Sequence, residues 1–205
     1  MSDQQNTDAA TAEKPAVPAL LKMYEEQVRD AFAKEFGVPN RMAQPRLQKI
    51  VINVNMGRHL EGTKVPANVK DTVLDTLTTI SGQKPVVIKA KKSVSNFKVR
   101  EGYDSAAMVT LRRERMWHFL ARLIHLATPR IKDFRGLNPN SFDHAGNYSM
   151  GLVEQGVFPE IDMAKVNFTH GMNINFIFSN SDPKKSRFVL EQLGMPFKKP
   201  ETKKK

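Results

Sequence analysis

Lys49-Ile50-Val51-Ile52-Asn53-Val54-Asn55 is the stretch on which the fold turns. It is short, rich in β-branched residues, preceded by Pro45 and followed by Met56-Gly57, which is the profile of a strand. A strand needs partners, and the sequence offers candidates at 85–89, 96–100, 107–112, 151–158 and 172–178. The last alternates Met172, Ile174, Phe176 and Phe178 with Asn173 and Asn175, as a half-buried strand does. Helical spacing appears between these runs. Leu20, Leu21, Tyr24, Val28, Ala31, Phe32 and Phe36 form one stripe that Gly37 and Pro39 close, and Val69, Val73, Leu74, Leu77 and Ile80 form another that Gly82 and Pro85 close. A third helix is expected over 114–127, with Arg115, His118, Arg122 and His125 together on an outward arc. Ser181-Asp182-Pro183 opens a fourth that stops at Gly194. Strands joined by short links, with helices before, between and after them, predict an α+β domain. Its sheet would be mostly antiparallel, with helices packed on one face and the other face and edge loops left for a ligand.

The charge says what kind of ligand. Between Gly82 and Gly136 stand thirteen Lys and Arg against four Asp and Glu, a net +9 out of +11 for the whole chain. Phe97, Tyr103, Trp117, Ser93, Ser95, Asn96 and Thr110 are interleaved with these cations, a mixture suited to phosphate, sugar and base contacts. A pI near 9.9 points to a polyanionic partner. An anionic membrane fits less well, because there is no lipidation signal at the N-terminus and no apolar run of spanning length. A run of Lys and Arg is often only a solvated face. Here the cations fall on a loop, several strands and a helix in succession, which a solvated face does not require.

Other chemistries find little support. The absence of cysteine removes disulfides, thiolate catalysis and cysteine-ligated zinc. No phosphate loop or dinucleotide fingerprint is present, since Gly82-Gln83-Lys84-Pro85 lacks the second glycine and the Gly-Lys-Ser/Thr ending. His118 and His125 are about 10 Å apart along a helix axis, too far to share a metal. Asp143, Glu154, Glu160 and Asp162 have no spacing that demands an acid–base pair, so the sequence argues against an enzyme and for no metal and no cofactor. Residues 1–16 are polar and read as a disordered extension, residues 17–197 as one domain, and residues 198–205 as a basic tail. Without an apolar leader or an Arg-rich presequence, the expected location is the cytoplasm. Three classes stay open on these grounds: a structural RNA-binding protein, a free regulatory one, and an RNA-processing enzyme.

Longer motifs narrow this. Ile80-Ser81-Gly82-Gln83-Lys84-Pro85, the run from Lys89 to Gly102, Val109-Thr110-Leu111-Arg112-Arg113-Glu114-Arg115-Met116-Trp117, Pro129 to Leu137, Asn147-Tyr148-Ser149-Met150-Gly151 and Phe158-Pro159-Glu160-Ile161 resemble the bacterial form of large-subunit ribosomal protein five, in the same order from Leu20 to Lys198. The resemblance implies a non-enzymatic ribosomal protein that binds 5S rRNA in the central protuberance, with large-subunit rRNA and neighbouring ribosomal proteins as further partners. It implies a sheet face that meets 5S rRNA through Asn53, Gln83, Phe97, Thr110 and Arg112. It also implies that the loop Lys91, Lys92, Ser93, Val94, Ser95 reaches P-site tRNA. The loop holding Asn138, Asn140, Ser141, Phe142, Asp143, His144, Asn147 and Tyr148 would bridge to a small-subunit head protein. Asn55 and Arg58 stand where that family commonly has a glycine-rich strand exit, and His144-Ala145 where it usually has Gly-Arg.

Overall fold

The computed structural model describes residues 17–164, 166 and 168–198; the expected N-terminal extension and nearly all of the basic tail lie outside them. Five strands, β1 (Arg46–Asn55), β2 (Val86–Lys89), β3 (Asp104–Leu111), β4 (Tyr148–Leu152) and β5 (Met172–Ser179), form one sheet in the order β2-β3-β1-β5-β4, every neighbouring pair antiparallel. The opening stretch is therefore the central strand. Its irregularity between Leu47 and Lys49 resets the alternation, so that Leu47, Ile50, Ile52 and Val54 all reach the core while Val51 and Asn53 face the other way.

Four helices cover the core face. The first, α1, runs over 19–36 and contains a π-helical turn at Tyr24–Val28. Leu20, Tyr24, Val28 and Phe32 are spaced by four, which would drift around a regular helix of 3.6 residues per turn; the wider turn keeps them on one line. The second, α2 (Ala67–Ser81), ends at Gly82, whose φ of +64° lets its N–H reach the Thr78 carbonyl at 2.8 Å. The third, α3, spans 113–127 and buries Met116, Phe119, Leu120, Leu123 and Ala127. The fourth, α4 (Pro183–Gln192), starts on Pro183 and buries Ser186, Val189 and Leu190. The stripes expected for the first two helices pack on the core, and the third and fourth helices form where expected, although Leu126 of α3 is exposed.

Two polar side chains tie the elements together at their joints. The Tyr24 hydroxyl donates to the Pro45 carbonyl at 2.7 Å, tying α1 to the start of β1. Arg122 leaves the outward arc expected for it and bonds both Glu160 and, at 2.7 Å, the Ile80 carbonyl in the last turn of α2. That contact satisfies a carbonyl that the helix end leaves open. Arg115, His118 and His125 are exposed as expected.

Two predicted strands differ. Residues 96–100 form no strand, because Lys98 adopts φ +53° and the chain folds into a small hairpin closed by Val94 and Val99. The strand expected over 151–158 is shifted to Tyr148–Leu152. Beyond it, Gln155 is fully buried, donating its amide to the Phe168 carbonyl and accepting from the His170 N–H, which requires a turn and not an extended chain.

Candidate nucleic-acid interface

Period-two alternation puts every second residue of the sheet on the face that carries no helix. One row across the strands reads Val86, Met108, Asn53, Asn173, Gly151; the next reads Thr110, Val51, Asn175, Ser149. No carboxylate stands in either row. Asn53 and Thr110 are therefore diagonal neighbours on adjoining strands, and Arg112 follows two residues beyond Thr110 at the exposed end of β3. Asn53 Oδ1 is buried without a hydrogen-bond partner among the described residues. The amide and hydroxyl groups can donate and accept to ribose hydroxyls and base edges, and Arg112 can fork onto a phosphate. Asn173 and Asn175 share these rows, and sequence reasoning did not single them out as contacts. Their signal was the alternation in 172–178 itself.

Gln83 and Phe97 sit elsewhere. Gln83 lies in the turn into β2, two strands from Asn53, with its backbone bonded to the Ser81 hydroxyl. Phe97 is in the loop between β2 and β3, 74% exposed and stacked on no other ring among the described residues. The ring therefore stands outside the core and is open to a base.

That loop, 90–103, is pinned at its neck and bare at its tip. Ala90 N–H donates to the Tyr103 carbonyl at 2.8 Å, and Val94 and Val99 exchange N–H bonds of 2.9 and 3.1 Å. The Ser93 hydroxyl accepts from the Glu101 N–H, so this side chain shapes the loop. Lys91, Lys92, Val94 and Ser95 are exposed.

The loop before β4 is built differently. The Tyr148 ring is 1% exposed, and its hydroxyl, pushed up to about 12 by burial, donates to the Asn138 carbonyl. Phe142 packs against Tyr148 at 4.7 Å and against Phe197 at 6.0 Å. Asp143 accepts from both the backbone and the side-chain amide of Asn147, which holds its carboxyl below the usual value, and Asn147 Oδ1 accepts from the Phe178 N–H. At Gly146, φ is +77° and any Cβ would lie 2.8 Å from the Ser186 hydroxyl, so only glycine fits. Tyr148 and Asn147 are therefore anchors; Asn138, Asn140, Asp143 and His144 are the exposed part, with Ser141 and Phe142 half-buried. At the exit of β1, the Asn55 side chain accepts from the Gly57 N–H at 2.8 Å, making the turn for which a glycine-rich exit was expected.

The described residues contain no group of three or more His, Asp or Glu arranged to hold a metal, and no helix long and apolar enough to cross a membrane. Glu160 is engaged with Arg122, and Asp143 caps its own loop.

Comparison with known proteins agrees with this geometry. Residues 40–100 match the family model described as ribosomal protein L5, and residues 104–197 match the model of the same ribosomal family's C-terminus. The large ribosomal subunit protein uL5 of Bifidobacterium adolescentis is 47% identical over 189 residues, covering 92% of this chain and 97% of the relative. That of Thermus thermophilus is 46% identical over 185 residues, covering 90% and 100%. The chain belongs to the ribosomal protein L5 family, and so is a non-enzymatic, rRNA-binding constituent of the large ribosomal subunit that works in the cytoplasm.

Proposed function

We propose that the helix-free face of the sheet binds 5S rRNA and so helps fix that RNA in the central protuberance, beside large-subunit rRNA and neighbouring ribosomal proteins. The observation that carries this reading is the pair of carboxylate-free rows in which Asn53 and Thr110 occupy adjoining positions of β1 and β3, with Arg112 just beyond the end of β3. Phe97 would add a base platform from the adjacent loop, worth about 1–3 kcal/mol per stacked base. Gln83 contributes from the sheet edge. Residues 17–197 act as the single RNA-binding domain, consistent with one continuous hydrophobic core.

The two loops take the remaining partners. Lys91 and Lys92, with Ser93, Val94 and Ser95 shaping the tip, contact the backbone of P-site tRNA. Exposed ammonium groups on a narrow-necked loop suit a contact that forms and breaks, because screened attraction to phosphate is sequence-blind. The loop of residues 138–147, held on Tyr148, presents Asn138, Asn140, Asp143 and His144 to a small-subunit head protein. Washing ribosomes in high salt tests the assignment: the chain is expected to remain with 5S rRNA in the large subunit, and its release while 5S rRNA stays behind would contradict it.

A further inference from the structure

A cleft of about 580 Å³ opens where the start of β1 and the β3–α3 junction meet the flank of α1. Arg29 of α1, Arg46 of β1, and Arg112 and Arg113 of the junction line it, against the single carboxylate of Glu25. None of the four arginines is ion-paired among the described residues. Arg29 Nε is buried without a hydrogen-bond partner, and its guanidinium lies 5.2 Å from the Tyr24 ring centre. Arg113 holds φ +53°, a left-handed conformation that side-chain-bearing residues seldom adopt, and it places two successive arginines on one rim. Like charges gathered in a concave site repel one another until an anion lies between them, and guanidinium forks match phosphate oxygens.

We propose that this cleft binds backbone phosphates of the RNA, held by Arg29, Arg46 and Arg113 and joined through Arg112 to the open sheet face. The inference rests on the RNA-binding reading of that face and extends it around the end of the sheet onto the helical side. Continuity through Arg112 favours RNA over a free anion, and several unpaired arginines favour more than one phosphate.

Trp117, the only tryptophan in the chain, lines the same cleft with its ring 5.4 Å from that of Tyr24, and so reports on it directly. The full-length chain is titrated with a short single-stranded oligoribonucleotide, and separately with tetraglutamate, while Trp117 emission is followed. The salt dependence of binding to transcribed 5S rRNA is measured alongside. The oligoribonucleotide is expected to produce a saturable, salt-sensitive change that Arg29→Gln/Arg46→Gln abolishes and Arg29→Lys/Arg46→Lys largely retains. The slope of log K against log salt for 5S rRNA should fall by about 1.5 in the Gln variant, two contacts' worth. The arginines make no ion pairs among the described residues, so the Gln variant should stay folded in urea, its midpoint lowered by no more than the loss of the Arg29–Tyr24 contact. An unchanged slope in a folded Gln variant, or an equal response to tetraglutamate, overturns the proposal. A wild type whose Trp117 responds to the oligoribonucleotide but which fails to bind 5S rRNA supports the cleft and instead defeats the 5S assignment.

Discussion

The two faces of the sheet are made by alternate residues of the same strands, yet they differ in almost every physical respect. Ile50, Ile52 and Val54 of β1 have no exposed surface and pack beneath helices, while Val51 and Asn53, between them, stay half-exposed beside Thr110, Asn173 and Asn175. One face draws its stability from apolar burial and tolerates little change in volume. The other leaves hydrogen-bonding groups waiting for an external partner. Fold and binding surface are therefore encoded together in one alternating pattern, and substitutions on the two faces should separate cleanly.

The largest effect belongs to the core face. Phe176 is fully buried against Tyr148, and Phe176→Ala should cost about 3–5 kcal/mol. That is a large part of a typical domain stability of about 5–15 kcal/mol, so the urea midpoint should fall steeply or the chain should fail to fold. A loss below about 1 kcal/mol would mean that the central strands do not carry the core as described.

Next comes a junction between the faces and the loop before β4. Asn147→Ala removes the acceptor for the Phe178 N–H and the side-chain donor to Asp143. A loss of about 1–3 kcal/mol in urea unfolding is expected. The Asp143 carboxyl should also titrate at higher pH in the variant, readable by NMR, since the Asn147 side-chain bond is the largest influence lowering it. An unchanged Asp143 titration would show that the loop is not held in this way.

A smaller effect follows from pH. His170, just before β5, is buried with Nε2 unpartnered, and burial holds its pKa below 6.5, with His59 nearby pushing the same way. The folded chain thus takes up the proton less readily than the unfolded one. Its contribution to stability is fully present above pH 6.5 and is lost as the pH falls from there toward the folded value. The drop in urea midpoint between about pH 7.5 and about pH 5.5 should be smaller in His170→Gln than in the wild type. An identical drop would assign the acid sensitivity to other groups.

Much of this was legible because it is local. Helical stripes, the Gly82 and Gly194 stops and the alternation of 172–178 all rest on near neighbours in sequence, and they match the structure. What escaped prediction depends on distant partners or on backbone conformation. Phe97-Lys98-Val99 has strand-like composition, but Lys98 turns left-handed and Phe97 ends up exposed. Arg122 looked like one more outward cation until the fold brought Glu160 and the Ile80 carbonyl to it. Tyr148 belonged to a polar loop by position, yet Phe142 of that loop and Phe176 and Phe197 from two other segments converge on it. The cluster of Arg29, Arg46, Arg112 and Arg113 is likewise assembled from three separate parts of the chain.

The smallest expected change in stability is on the open face, and there the account of binding is most exposed to test. Asn53→Ala/Thr110→Ala should shift unfolding by less than about 0.5 kcal/mol. Equilibrium binding to transcribed 5S rRNA, compared among the wild type, this variant and Lys91→Ala/Lys92→Ala at one salt concentration, addresses the central claim most directly. Losing two hydrogen-bonding side chains should weaken 5S rRNA binding roughly 5- to 150-fold, at about 0.5–1.5 kcal/mol each. The lysine variant, altered only at the loop tip, should bind 5S rRNA nearly as the wild type does. Equal losses in the two variants, or no loss in Asn53→Ala/Thr110→Ala, would contradict the assignment of 5S rRNA to the open face.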